Sequence, residues 1–349
     1  MTPAGGSERP RLFPKCSLDV SSARPRRGSE PFPTTLRAAF GDGTHGDRGC
    51  GGQTGGMGLA VPRNLADHAQ CRGRVEWIAA LPTVIEELQD LWSLEIGEPF
   101  QPGGQTAWVA PATSSEFREI VLKVACRHYE AFDEAKGLRE WDGEGTVRLL
   151  AAEDVNEATT ALLLERCRPG TPLSAFPDMT QDAVISGLLR RLWKPPPFAE
   201  EFRPLQQMCD RWADECEQKL AENPARRDVG LLHEGIALFR SLPASAERRV
   251  LVCTDLHADN VLAAEREPWL VIDPKPYVGD PTYDALQHLL NCEDRLIADP
   301  AALVATIAHL CDLDPGRLGR WLFARCAVEA PDWPELLDVA RQLAANLGL

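Results

Sequence analysis

From residue 64 to residue 92 apolar side chains return at helical spacing, and Pro82 is placed to open a second helix. The period then falls to two. Stretches 106–111 and 119–126 read as a hairpin whose second strand sets Ile120, Leu122 and Val124 against Val121, Lys123 and Ala125 on the opposite face. A charged helix is expected over 130–141, and strands over 147–152 and 160–165 complete a small sheet. After Arg168-Pro169-Gly170 the helical period returns, at about 180–193, 203–220 and 228–241. One β-rich interruption, 249–273, runs strand, polar loop, short strand, turn. Helices then resume. Asp299-Pro300 and Asp314-Pro315 put an N-cap carboxylate before a proline at the first helical position, and Asp332 with Glu335 has capping-box spacing. The pattern predicts an α+β chain in two lobes: a small β-rich N-lobe over 58–167, and a larger, mostly helical C-lobe over 168–349 carrying one inserted β-hairpin.

Composition changes the picture at the N-terminus. Residues 1–57 hold 11 of the 27 glycines and six prolines, carry eight Lys/Arg against five Asp/Glu, and show no apolar period. Such a stretch cannot bury enough apolar surface to offset chain entropy, so a disordered leader is expected. Arg26-Arg27 is followed by no apolar run, which excludes a twin-arginine export signal. Met57, where globular composition begins, is a candidate biological start.

The 349 residues are enough for two buried cores, and no apolar run approaches the roughly 20 residues of a membrane helix. A net charge of −15 argues against nucleic acid and anionic membranes as partners and is compatible with a cationic small-molecule acceptor. The eleven cysteines form no C-x-x-C pair, which points to reduced thiols in a cytoplasmic setting. Cys126, Cys292 and Cys326 lie in apolar contexts, where cysteine behaves as a small hydrophobe.

The densest chemistry lies in 250–284, VLVCTDLHADNVLAAEREPWLVIDPKPYVGDPTYD. Asp255 and Asn260 share a loop between two apolar strands, and Asp273 ends the second strand. Phosphoryl transfer asks little covalent work of a protein; catalysis is positioning plus charge neutralisation. It needs a carboxylate near the acceptor hydroxyl and oxygen ligands for Mg²⁺, which takes few protein oxygens and completes its shell with water and phosphate. A D-x-x-x-x-N loop followed by an aspartate at the next strand end supplies both. His257 with Asp255 and Asp259 could suggest a metal cluster, but no second His or Cys pair supplies further ligands. Asp280 and Asp284 are placed to tie the following turn to a helix N-terminus. Trp193, Trp212 and Trp321 fit apolar helix faces, and no basic stripe makes them stacking platforms for nucleic acid.

The Asp-Leu-His-x-x-Asn run at 255–260 and the Ile-Asp-Pro-Lys-Pro-Tyr-Val-Gly-Asp-Pro run at 272–281 resemble the signature segments of the aminoglycoside phosphotransferases. The likeness is strongest to the branch with streptomycin 6-kinases and hydroxyurea phosphotransferases, and extends from about Val61 to the C-terminus. It implies a bilobal protein-kinase-like fold that uses ATP and Mg²⁺ to phosphorylate a hydroxyl of a small molecule, an aminoglycoside of the streptomycin type being the first expectation. By the same resemblance Asp255 is the catalytic base or hydroxyl-orienting group, and Asn260 and Asp273 are the Mg²⁺ ligands. Lys123 would meet the ATP phosphates together with a helix glutamate, Glu134, with Glu130 as the competing choice. Gly103 and Gly104 would lie over the phosphates, and 164–167 would be the hinge that reads the adenine edge. Lys275 could face the phosphates or solvent. Family members carry His-Gly before the catalytic aspartate; here Cys253-Thr254 stands, and the loss of the histidine brace predicts a looser loop. It leaves open a nucleotide-binding protein with weak or no catalysis, or a kinase of another metabolite. For a cationic acceptor the C-terminal carboxylates Glu293, Asp294, Glu329 and Asp332 are candidates.

Overall fold

The computed structural model describes residues 59–349 except 72–73, 117–118, 197 and 223–227. The expected leader, 1–57, lies outside the described residues. Two helices lead in, α1 (Arg63–Cys71) and α2 (Val75–Trp92). Pro82 does not open a helix but lies inside α2. An interior proline costs about 3 kcal/mol or more. The helix continues because Leu81, Val84, Ile85 and Leu88 are buried against the sheet, a gain of roughly 6–12 kcal/mol for four such side chains.

The sheet contains β1 (Glu95–Ile96), β2 (Ala107–Thr113), β3 (Ile120–Cys126), β4 (Leu149–Asn156) and β5 (Thr159–Glu165), antiparallel in the order β1-β2-β3-β5-β4. Between β3 and β4 a 3₁₀ turn, Tyr129–Asp133, leads into α3 (Glu134–Trp141), so the expected single helix begins as a tighter turn. Alternation along β3 sorts its side chains as the pattern predicts. Ile120, Leu122 and Val124 join α2 and Trp108 in one core; Val121 packs with Leu138, Leu164 and Leu270 on the other face, the face of Lys123.

The larger lobe contains α4 (Asp178–Leu192), α5 (Leu205–Glu222), α6 (Val229–Ser241), β6 (Val250–Val252), β7 (Val261–Ala263), β8 (Trp269–Val271) and β9 (Tyr277–Gly279). It ends with α7 (Pro281–Asp284), α8 (Leu286–Asn291), α9 (Glu293–Ala298), α10 (Pro300–Cys311), α11 (Pro315–Glu329) and α12 (Leu336–Leu347). Where one inserted hairpin was expected there are two antiparallel ladders, β7 with β8 and β6 with β9. All of β6 is buried, so its backbone groups need partners, and the run after Asp273 supplies them. Trp193, Trp212 and Trp321 are buried in this lobe's core. Asp299 and Asp314 cap α10 and α11, accepting from the Ala302 and Arg317 amides. Asp332 makes no capping box; it pairs with Lys219, and α12 starts at Leu336. No described helix is long and apolar enough to cross a membrane.

Cys292 packs against the core as the small hydrophobe expected, and also accepts from the Arg295 guanidinium at 2.9 Å. Nearby, Asp182 of α4 binds His288 Nε2 at 2.7 Å and both terminal Arg295 nitrogens at 2.7 and 2.8 Å, clamping α4 to α8 and α9. Burial favours neutral His288, but Asp182 and Cys292 outweigh it and push the imidazole up to about 9. Burial likewise opposes the Asp182 carboxylate, yet Arg295 and His288 hold its carboxyl down at about 2. A raised folded-state pKa means that His288 contributes fully below about pH 6.5 and loses that contribution as pH rises through 9. The depressed Asp182 contributes above about pH 4 and loses its contribution as pH falls through 2. Urea denaturation of the wild type and His288→Gln should therefore show a stability gap that shrinks by on the order of 3 kcal/mol between pH 6 and pH 10; a gap constant across that range would mean the imidazole is neutral throughout.

Candidate active site

The lobes face one another across a cleft of about 480 Å³, within the range of small-molecule sites. Gly103 and Gly104 lie at its edge, and Leu164 to Cys167 form part of its wall. Gly103 has φ +79°, and a Cβ there would come within 2.4 Å of Pro62 Cβ, so only glycine fits. Its carbonyl accepts from Asn64 Nδ2 at 3.0 Å, which ties the loop to α1. Gly104 carries no such restriction, its nearest neighbour being 3.9 Å from a built Cβ.

Lys123 crosses from the sheet to both lobes' acids. Its Nζ lies 2.7 and 2.8 Å from the two Glu134 oxygens and 2.6 Å from Asp273 Oδ1. The helix partner of Lys123 is thus Glu134, not Glu130. Burial works against the Lys123 ammonium, but Asp273 and Glu134 outweigh it and raise its pKa. Lys275 is not a solvent residue: it is 7 % exposed, 3.1 Å from Asp255 Oδ2 and 3.2 Å from Asp273 Oδ2. Burial opposes charge on Asp273, yet the two ammonium groups hold its carboxyl well below the usual range. The Asp273 side chain keeps 39% of its surface open and lines the cleft with Asn260 and Asp255. Asn260 Nδ2 donates to the Asp255 carbonyl at 2.9 Å, leaving its amide oxygen as the atom able to ligate. Asp273 and Asn260 therefore offer an all-oxygen donor set, the chemistry a hard divalent cation prefers.

The loop carrying Asp255 is braced at several points. Cys253 is fully buried, and burial pushes its thiol well above the ordinary range. Its carbonyl accepts from the amides of Asp255 at 2.8 Å and Lys275 at 2.9 Å. Thr254 sits at φ +54°, a region that disfavours β-branched residues by on the order of 1–3 kcal/mol. Its hydroxyl donates to the Lys275 carbonyl at 2.5 Å, offsetting part of that cost. The principal brace is Asp284. Expected to tie a helix N-terminus, it instead reaches back to accept from the Cys253 amide at 3.0 Å, the Thr254 amide at 2.6 Å and Trp193 Nε1 at 2.9 Å. Burial pushes the Asp284 carboxyl up to about 6 despite these donors. Asp280 does cap α7, accepting from the Thr282 amide at 2.9 Å, and its other oxygen accepts from Trp321 Nε1 and Arg317 Nε at 2.7 Å each. His257 is buried and caps its own 3₁₀ turn through the Asp259 amide; its ring lies 3.9 Å from Asp255 and 3.8 Å from Asp259.

On the far side of Asp255 a narrow recess is walled by Glu130, Trp212, Tyr277, Tyr283, Gln287 and Arg325, with Lys275 beside Asp255. None of Glu293, Asp294, Glu329 and Asp332 lines it. Glu329 is occupied by Arg325 at 2.7 Å and Asp332 by Lys219. The sequence reading named Asp284 only as a tie to a helix N-terminus and Tyr277 only as part of a signature run; nothing local marks the loop-bracing role of the one or the recess position of the other. Glu130 was visible there only as a rival to Glu134.

Comparison with known proteins finds relatives over most of the chain. The model of the family described as aminoglycoside/hydroxyurea antibiotic resistance kinase matches residues 95–335. The chain is 34% identical over 279 residues to streptomycin 6-kinase of Streptomyces glaucescens, a match covering 76% of this chain and 88% of that protein. It is 36% identical over 246 residues to hydroxyurea phosphotransferase of Kitasatospora aureofaciens, covering 68% and 69%. Among solved structures, choline kinase LicA from Streptococcus pneumoniae aligns with a TM-score of 0.54 at 13% identity, over 77% of this chain and 99% of that one; the likeness is one of fold.

Removing Asp284 would leave the buried Cys253 amide, the part-buried Thr254 amide and the buried Trp193 indole N–H without their acceptor. Each stranded group costs about 1–3 kcal/mol, so Asp284→Ala should lose at least about 2 kcal/mol in urea denaturation. A loss within about 0.5 kcal/mol, the scale of a surface substitution, would show that the loop is held by other contacts.

Proposed function

The chain belongs to the aminoglycoside/hydroxyurea antibiotic resistance kinase family, and on that premise we propose that it transfers the γ-phosphoryl group of ATP to a hydroxyl of an aminoglycoside of the streptomycin type. The observation that carries this reading is the junction at the cleft: Lys123 of the sheet lobe meets Asp273 of the helical lobe at 2.6 Å, with Asp255 joined to the same centre through Lys275.

Asp255 orients the acceptor hydroxyl and takes its proton; one of its oxygens is held by Lys275 at 3.1 Å, and the other is buried with no hydrogen-bond partner among the described residues. Lys123, fixed by Glu134, and Lys275 carry the positive charge that phosphate oxygens would meet. Held by Asn260 and Asp273, Mg²⁺ would supply charge neutralisation at the phosphates. Gly103 and Gly104 allow backbone N–H groups to approach those phosphates, and 164–167 meets the adenine edge. Buried free thiols such as Cys209 and Cys326 support the cytoplasmic setting. Hydroxyurea is the second acceptor to consider, given the 36% identity to a hydroxyurea phosphotransferase.

Incubation with ATP, Mg²⁺ and either compound, followed by mass spectrometry, should show an acceptor heavier by one phosphate; ATP binding with no mass gain on either compound would sink the assignment. Asp255→Ala should lower kcat by ~10²–10⁴-fold while ATP affinity stays within a few-fold, because it removes a contact made in the transition state. Asp273→Ala should weaken Mg²⁺-dependent nucleotide binding about 10- to 100-fold, the worth of a lost charge-assisted contact; unchanged Mg²⁺ dependence would refute the ligand role.

A further inference from the structure

Glu130 is 6 % exposed, and its Oε1 has no hydrogen-bond partner among the described residues. Two other residues that line the same recess also carry an oxygen without a partner among the described residues, Asp255 (Oδ1) and Tyr277 (Oη). Three recess-lining residues with a buried oxygen left without a partner are costly unless hydrogen-bond donors arrive from outside the chain. The cations around Glu130 are each claimed by another carboxylate. Lys275 is paired with Asp255 and Asp273, Arg325 with Glu329 at 2.7 Å, and Arg211 with Glu215 at 2.9 Å. Arg203 reaches only the Glu130 carbonyl, at 3.4 Å, while it binds Asp133 at 2.6 Å. That second contact staples the 3₁₀ turn and fixes where Glu130 stands.

We propose that Glu130 is a specificity-determining residue, whose carboxylate receives a cationic amino or guanidino substituent of the acceptor in this recess beside Asp255. The proposal rests on the kinase reading and deepens it. The recess holds about 20 Å³, room for a terminal ammonium or for the N–H edge of a guanidinium entering from its open side, and not for a ring. Because Asp255 forms part of its wall, the cationic substituent belongs on a carbon close to the hydroxyl that is phosphorylated. Without that cation, burial and the neighbouring Asp255 push the Glu130 carboxyl up to about 7 against Lys275, Arg325 and Arg211. A proton occupies the place of the ligand near neutrality. Binding of a guanidinium acceptor, which keeps its charge, should therefore tighten as pH rises from 6 to 8.

The test compares the full chain with Glu130→Gln, using streptomycin as the guanidinium-bearing probe and hydroxyurea as an uncharged one. Both steady-state kinetics and calorimetric binding are read. The variant should raise KM and Kd for streptomycin at least about tenfold, the worth of a charge-assisted contact. It should leave KM for ATP within about twofold and abolish the pH 6–8 trend in streptomycin affinity. Its melting temperature should hold or rise, because a buried charge without a partner is gone; a purely structural Glu130 would lower it. Unchanged streptomycin affinity in the variant, or an equal rise in KM for ATP, overturns the assignment. Where the wild type binds streptomycin without phosphorylating it, the acceptor reading fails, yet loss of that binding in Glu130→Gln still supports the recess. Where the wild type binds neither streptomycin nor methylguanidinium, the recess assignment falls.

Discussion

Two ammonium groups and three carboxylates meet where the lobes meet, and the architecture is arranged so that none is left alone. Lys123 and Lys275 stand among Glu134, Asp273 and Asp255, with separations from 2.6 to 3.2 Å. Removing one partner from a buried ionic group strands the rest at a cost of several kcal/mol. The sheet must therefore present Lys123 on its cleft face, α3 must begin at Glu134, and the chain after β8 must turn at Asp273, all in one register. Asp273 makes that turn at φ +53°, a left-handed backbone that swings its carboxylate toward both lysines. Two arginines hold the register across the lobes. Arg266 binds Glu165 through two nitrogens at 2.8 Å and also the carbonyls of Gly143 and Thr146, while Arg203 binds Asp133 and stacks 4.7 Å from the Tyr129 ring.

The loop carrying Asp255 shows a division of labour between backbone and side chains. Cys253 contributes through its amide and carbonyl, both engaged, and its thiol is simply buried. With cysteine at 253, the loop takes its side-chain brace from Asp284, which accepts from both the Cys253 and the Thr254 amide. Thr254 adopts a backbone that glycine would take more cheaply and regains something through its hydroxyl. Rigid placement of this loop is what lets Asp255 face the cleft on one side and the recess on the other.

Much of the fold was legible because it follows from periodicity. The two-residue alternation of β3 told Lys123 apart from Ile120, Leu122 and Val124 before any coordinates, and the Asp-Pro steps at 299–300 and 314–315 marked two helix starts. Asp255, Asn260 and Asp273 could be named because their spacing and the unusual run that follows are features of sequence, and the structure gathers them in one cleft. Local rules misled where tertiary contacts outweighed them. Pro82 remains inside α2 because the burial of Leu81 and its neighbours exceeds the proline penalty. Asp332 prefers Lys219 to a helix end.

By itself the sequence determined the α+β order of elements, the face of β3 on which Lys123 stands, and the run from which Asp255, Asn260 and Asp273 are proposed as the site. These depend on neighbours a few positions apart, so spacing encodes them. Only the tertiary structure decided that Glu134 and not Glu130 meets Lys123, that Lys275 is buried between two aspartates, and that Asp284 braces residues 253 and 254. Those outcomes turn on contacts between segments whose separation along the chain carries no signal; which of two nearby glutamates finds a buried cation is settled by where the 3₁₀ turn ends and α3 begins, a matter of packing against Arg203 rather than of local pattern.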